Sequence, residues 1–307
     1  MPADPRAGLF LFETRFAVAA SFTVVLQYLL PKQALTRLAG RIARAEWGGA
    51  THALIRWFVG RYGVNMAEAA HPDPASYASF NAFFTRALKP GVRPLADTAF
   101  VCPVDGAISQ LGRIERDQIV QAKGHRYSTQ ALVGGDAALA ALFEDGAFAT
   151  LYLSPRDYHR IHMPAAATLR RMIHVPGDLF SVNPATAQGV PGLFARNERV
   201  VCVFDAPHGA GGAPRPFVLV LVGATIVGSM STVWHGVVNP PRPGHLREWT
   251  YDDEPLVFER GQEMGSFLLG STVVMLWPQD TIAFNPQWAP GQPVRLGAAM
   301  GELANPS

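Results

Sequence analysis

From about residue 100 onward the apolar residues arrive in short runs, "AFVCPV", "FATLYLSP", "FVLVLVGATIVGSM" and "LLGSTVVMLW", set apart by glycine and proline. Runs of that length bounded by turn-forming residues fit strands and leave little room for long helices. The 25 prolines and 29 glycines among 307 residues point the same way. Before residue 70 the pattern is helical instead. In "ALTRLAGRIARAEW" Arg37, Arg41 and Arg44 recur at helical spacing, with Leu35, Leu38 and Ile42 on the opposite stripe. The expected fold is α+β: N-terminal amphipathic helices over 1–70, then a β-rich catalytic domain over 71–307. The proline-punctuated stretch 71–95 is the passage between them. A chain of this length buries a full core as one large or two modest domains.

The helical part carries a second message. Residues 31–61 hold six basic side chains and one acid, Glu46, and "ATHALIRWFVGRYG" adds Trp57, Phe58 and Tyr62. Basic residues on one side and aromatic or aliphatic ones on the other suit a helix lying on an anionic membrane surface. A helical hairpin with a solvated basic face is the plainer alternative. The apolar stretch 16–30 is 15 residues long and broken by Ser21, Thr23 and Gln27. That is short of the ~20 residues a spanning helix needs, so it reads as an interfacial or packed helix. A net charge of +2 excludes nucleic-acid binding through the overall field. Cys102 and Cys202 lie outside any metal spacing and read as buried free thiols.

Three stretches place reactive side chains at turns. Asp105 precedes Gly106 in "CPVDGAIS", alone a tight-turn signal. "LSPRDYHRIHMP" (153–164) sets His159 and His162 three residues apart between two prolines. On a helical turn both imidazoles would face one side, and in a strand they would diverge; no companion ligands for a metal are evident. In "SFLLGSTVVMLW" (266–277) a Gly-Ser step interrupts two apolar runs, which by itself is commonly a bulge. Asp105, His162 and Ser271 have the residue types of a hydrolase triad. Yet no G-x-S-x-G elbow exists, and a hydrolase serine needs an open approach. The carbonyl nearest to Ser271 along the chain belongs to Gly270.

That proximity suggests a serine attacking its own peptide bond. His162, oriented by Asp105, takes the hydroxyl proton. The oxygen attacks the Gly270 carbonyl, and glycine offers no side chain to obstruct it. Elimination then cuts the chain and leaves a pyruvoyl group after loss of ammonia. Such a carbonyl can condense with an amine and act as an electron sink, the part pyridoxal phosphate plays elsewhere.

These stretches together resemble the phosphatidylserine decarboxylases of the bacterial, membrane-associated, pyruvoyl-dependent type. The matching pieces are "PVDGAISQLG", "KGHRYS", "YLSPRDYHRIHMP", "PGDLFSVNPAT", "LFARNERV", "VGATIVGSM" and "LLGSTV", in family order over most of residues 25–280. The resemblance implies self-cleavage between Gly270 and Ser271 into a large chain (1–270) and a small chain (271–307). It implies Asp105, His162 and Ser271 as the cleavage triad, and His159 as the residue assisting decarboxylation by protonating the carbanion. The cofactor would be the pyruvoyl group from Ser271, with no metal or nucleotide. The substrate would be phosphatidylserine, and the products phosphatidylethanolamine and carbon dioxide. Implied partners are the membrane surface and the two chains of one precursor, with room for a homodimer and no nucleic acid. The implied place is the cytoplasmic face of the cell membrane, held peripherally. Phe180, Ser181 and Asn183 are candidates to cradle the head group, although Asn183-Pro184 also reads as a structural turn. Two rivals stay open: a serine hydrolase that keeps its chain intact, and a non-catalytic membrane-binding module.

Overall fold

A computed structural model of the chain describes residues 27, 28, 31–207, 213–225, 229–268 and 271–304. Most of the 16–30 stretch, the tip of the 206–216 loop and Gly270 therefore lie outside the described residues. Two helices come first, Lys32–Arg44 and Gly49–Tyr62, the second ended by Gly63 in the left-handed conformation. A short helix, Phe80–Phe84, follows, its first turn capped by the Ser79 hydroxyl. Phe58 meets Phe80, Phe83 and Phe84 edge-on, with ring centroids 5.0–6.0 Å apart, and this aromatic cluster is the helices' own core.

The remainder is β-rich, as the run lengths predict, and the fold class is α+β. Its centre is a nine-stranded antiparallel sheet. Five of its strands lie in the order Arg199–Ala206, Arg215–Val222, Ser271–Trp277, Ala147–Leu153, Gly106–Arg113. The first two form a hairpin, with Ala206 opposite Arg215. Every residue of Ser271–Trp277 is buried. Val273, Met275 and Trp277 enter the core on one face of the sheet, and Val274 and Leu276 the core on the other. A strand covered on both faces needs no polar alternation, which is why the sequence there reads as a solid apolar run. Each such side chain contributes roughly 1.5–3 kcal/mol through burial.

The other half of that stretch belongs elsewhere. Glu263–Phe267 pairs with Arg160–His162 and Met230–Thr232 in a separate four-stranded sheet. The chain therefore passes from one sheet to the other between Phe267 and Ser271. Cys102 and Cys202 are buried and unbridged.

Candidate active site

Strand register brings the sequence motifs to one end of the large sheet. Ser271 opens its strand opposite Leu153, and Thr272 pairs with Tyr152, which pairs in turn with Ala107. Asp105 thus lies just beyond the end of the strand two places away from that of Ser271. Gly106 is required by closeness: a Cβ there would sit 2.3 Å from the Tyr152 carbonyl oxygen. The Asp-Gly pair is a point of tight strand contact, and Gly106 does not adopt a left-handed turn. From Leu153 the chain enters a turn in which Asp157 accepts from the Ser154 amide and hydroxyl, each at 2.7 Å. Tyr158, His159 and His162 follow. The two imidazoles diverge, as a strand requires: His159 is fully buried and His162 faces a cavity.

Asp105 is 7% exposed and its carboxylate is saturated. Arg93 donates through Nε to Oδ1 at 2.9 Å and through Nη2 to Oδ2 at 2.6 Å, and the Leu296 amide donates at 2.9 Å. Arg93 also donates to Glu68 at 2.6 Å, and that bond holds the Glu68 carboxyl below its ordinary pKa. An Asp105–His162 hydrogen bond, expected from the triad reading, is not formed. A charged guanidinium fork is the stronger partner for a carboxylate than a neutral ring.

His162 is oriented by other groups. Its Nδ1 lies 2.8 Å from the Gly261 carbonyl, which can only accept, so Nδ1 carries the proton. Nε2 then presents its lone pair, which accepts from the Tyr158 hydroxyl at 3.1 Å. Burial lowers the pKa of His162 and favours this neutral form.

His159 and Ser271 are the unsatisfied pair. His159 Nδ1 donates to the Asp157 carbonyl at 2.9 Å, the ring packs on Phe84 at 4.1 Å, and Phe267 donates its amide to the His159 carbonyl. Nε2 is buried with no partner, and burial drives the pKa down to about 3. The Ser271 hydroxyl, in a residue 1% exposed, is likewise buried with no partner. Ser271 follows Phe267 by four residues, so the strand that anchors His159 leads directly to it. The closed setting of this serine is not the open approach a hydrolase needs.

A cleft of ≈ 670 Å³ lies over Asp105, Tyr152, Ser154 and Asp157, and a neighbouring cavity of ≈ 330 Å³ over His162, Gly261 and Glu263. Arg93 and Tyr158 line both, whereas neither is lined by Ser271 or His159. Pro184 touches the larger cleft. Asn183 caps the helix Pro184–Gly189, accepting from the Thr186 amide at 2.9 Å. Phe180 is buried beneath the Lys32 ammonium, 4.0 Å from its ring, and the Ser181 amide donates to the Gln27 side chain. Among the described residues no cluster of three metal-ligating side chains occurs.

The sequence reading missed Arg93, Glu68, Gly261 and Leu296, and gave Tyr158 no role. The one available signal was an arginine set beside Pro94 in the 71–95 passage.

Comparison with known proteins agrees with the motif order. A family model described as phosphatidylserine decarboxylase matches residues 80–302, and a second, described as PSD, matches residues 22–63. The phosphatidylserine decarboxylase proenzyme of Azoarcus sp. (strain BH72) is 69% identical over 280 residues, covering 91% of this chain and 95% of the relative. Those of Dechloromonas aromatica (strain RCB) and Variovorax paradoxus (strain S110) are 68% and 70% identical over 282 residues, each covering 92% of this chain and 98% of the relative.

Proposed function

The chain belongs to the phosphatidylserine decarboxylase family, and from that premise we propose how its own residues make and serve the reactive group. It is an enzyme that converts phosphatidylserine to phosphatidylethanolamine and carbon dioxide, made as a precursor that processes itself. The observation that carries the finer reading is the Ser271 hydroxyl, buried, bonded to nothing, and next in sequence to Gly270. A side chain committed to no structural bond fits conversion into a prosthetic carbonyl.

In this reading His162 Nε2 takes the Ser271 proton once Tyr158 releases that lone pair. Oγ bonds to the Gly270 carbonyl carbon, the C–N bond breaks, and the Ser271 nitrogen gains a proton. Elimination expels the Gly270 carboxylate, and water then releases ammonia. The pyruvoyl group so formed supplies an electron sink for loss of the substrate carboxylate. Asp105 and Arg93 set the charge beside the cleft.

His159 moves one proton of the decarboxylation. The head-group amine arrives protonated and must lose a proton to become nucleophilic, and the carbon that loses carbon dioxide must gain one. A ring with Nε2 bare, whose imidazolium burial makes strongly acidic, meets the second need by giving its proton to that carbon, and is too weak a base for the first. The turn bearing it is steadied by Arg86, which donates to the Arg156 carbonyl at 3.2 Å.

The lipid substrate also accounts for the front of the chain. Leu38, Ile42, Trp47 and Trp57 are exposed on the helical region beside its basic residues, and among the described residues no helix is long and apolar enough to cross a membrane. We read this region as docking peripherally on the cytoplasmic face of the cell membrane.

Intact mass spectrometry under denaturing conditions tests the reading. Wild-type protein should give two chains divided between Gly270 and Ser271, the smaller lighter than a serine-started peptide by one ammonia, as a ketone terminus requires. His162→Ala should stay whole, and His159→Ala should cut yet fail to decarboxylate. A wild-type chain that stays whole while turning over lipid would overturn it.

A further inference from the structure

Apart from the two cavities at Asp105 and His162, a third cleft of ≈ 400 Å³ opens between the helix Lys32–Arg44 and the loop carrying Pro240 and Arg242. Arg37, Arg41, Arg44 and Arg242 line it, and no aspartate or glutamate does. The first three lie at i, i+4 and i+7, one face of the helix. Among the described residues no ion pair reaches any of them. Arg44 folds its guanidinium back over Gly40, where a Cβ would stand 3.2 Å from Nη1. The bare glycine gives that group its place in the cleft.

Arg242 is fixed from behind. Its Nε donates to Glu198 Oε2 at 2.8 Å, and Glu198, 2% exposed, is bonded through Oε1 to His174 Nε2 at 2.9 Å. That network consumes the nearby carboxylate and holds the guanidinium in one orientation. Arg242 Nη2 is nevertheless buried with no partner. Last-turn arginines complement a helix C-terminus, which accounts for Arg41 and Arg44 but not for Arg37, nor for an orphaned donor on another segment. Like charges three and four residues apart oppose one another unless something neutralises them. Guanidinium forks match the oxygens of a phosphate.

We propose that this cleft binds the phosphodiester of an anionic phospholipid, a site separate from the one that handles the reacting serine head group. The proposal rests on the membrane-docking reading. The same helix exposes Leu38 and Ile42, which places an apolar contact with the acyl boundary beside a phosphate held at head-group level.

The test uses vesicles of phosphatidylcholine with and without phosphatidylglycerol, a lipid that has the phosphodiester but neither the amine nor the carboxylate of serine. Binding is thus read without any chemistry at Ser271, and it can fail independently of the decarboxylase reading, which is scored by chain cutting. Arg41→Gln/Arg44→Gln should weaken binding to the phosphatidylglycerol vesicles roughly tenfold or more and leave binding to pure phosphatidylcholine in place. Arg56→Gln/Arg61→Gln removes the same charge from the next helix, outside the cleft, and should weaken it much less. Equal losses from the two pairs would mean a diffuse field and overturn the site. A second arm adds inorganic phosphate without vesicles and follows the Tm. Stabilisation that Arg41→Gln/Arg44→Gln abolishes, with vesicle binding unchanged, would assign the cleft to free phosphate and overturn the lipid.

Discussion

Asp105 and Ser271 stand at the same end of one sheet, two strands apart and almost equally buried, and the fold treats them oppositely. Asp105 is bonded by a guanidinium on two edges and by a backbone amide. Ser271 Oγ and, on another segment, His159 Nε2 have no partner at all. A buried polar atom left unpaired costs roughly 1–3 kcal/mol, so the fold bears a penalty on one side of the site and avoids it on the other. On the proposed reading the difference separates scaffold from reagent. In that reading the group that fixes charge is saturated and the nucleophile and the acid are kept bare, while the base, His162, is covered by Tyr158 and must first lose that bond.

The sharpest break in that comparison is Ser271→Ala. Decarboxylation should fall by three orders of magnitude or more, on the order of removing a nucleophile elsewhere. The chain should remain single on a denaturing gel, while its stability in urea stays within about 1 kcal/mol of the uncut wild-type precursor, because no hydrogen bond is lost. Asp105→Ala should do the reverse in stability. It strands Arg93 on Glu68 alone and orphans the Leu296 amide, so denaturant titration should show a loss of about 3–5 kcal/mol. Equal stability losses in the two variants would erase the distinction.

The smallest effect is a dependence on acid. The folded-state pKa of His159 is lowered to about 3 from an ordinary 6.5, so below pH 6.5 the unfolded chain binds a proton that the folded chain refuses. Stability should therefore decline as pH falls from 6.5. The share of His159 should reach about 2–3 kcal/mol by pH 4.5, with His162, also lowered by burial, adding to it; 4.5 is the ordinary value for the Glu68 carboxyl, below which its own loss begins. Urea midpoints across that window, taken in the uncut Ser271→Ala chain, should show a shallower slope when His159→Gln is added.

Much of this was legible in the sequence because it is written locally. Short apolar runs gave strands, the 3.6-residue recurrence of Arg37, Arg41 and Arg44 gave a helix, and the Gly270-Ser271 step drew attention to a serine in apolar company. The scaffold around the triad is written at long range and left no local mark. Asp105 meets Leu296 across 191 positions, and His162 meets Gly261 across 99. Arg93 looked like part of a proline-rich passage, and only the folded chain shows it bridging Asp105 and Glu68. Asn183 illustrates the opposite case: a structural turn at Asn183-Pro184 was one of two readings, and the structure shows Asn183 capping the helix that begins at Pro184.

The strand that begins at Ser271 lies mid-sheet, zipped to Ala147–Leu153 on one edge and Arg215–Val222 on the other. Further along, Ile282–Phe284 and Ala299–Leu303 pair with each other, and the latter also with Phe100–Val101. If the backbone is severed ahead of this strand, as proposed, the released fragment remains clasped as the middle plank of a sheet it no longer belongs to covalently. Assembly is then a one-way event. A precursor can refold as a single chain, but a mature molecule that has come apart must find its fragment by a second-order encounter, with an open slot where its central strand had been. The working life of the enzyme is accordingly set by how slowly that plank slips out, and not by any equilibrium to which it can return.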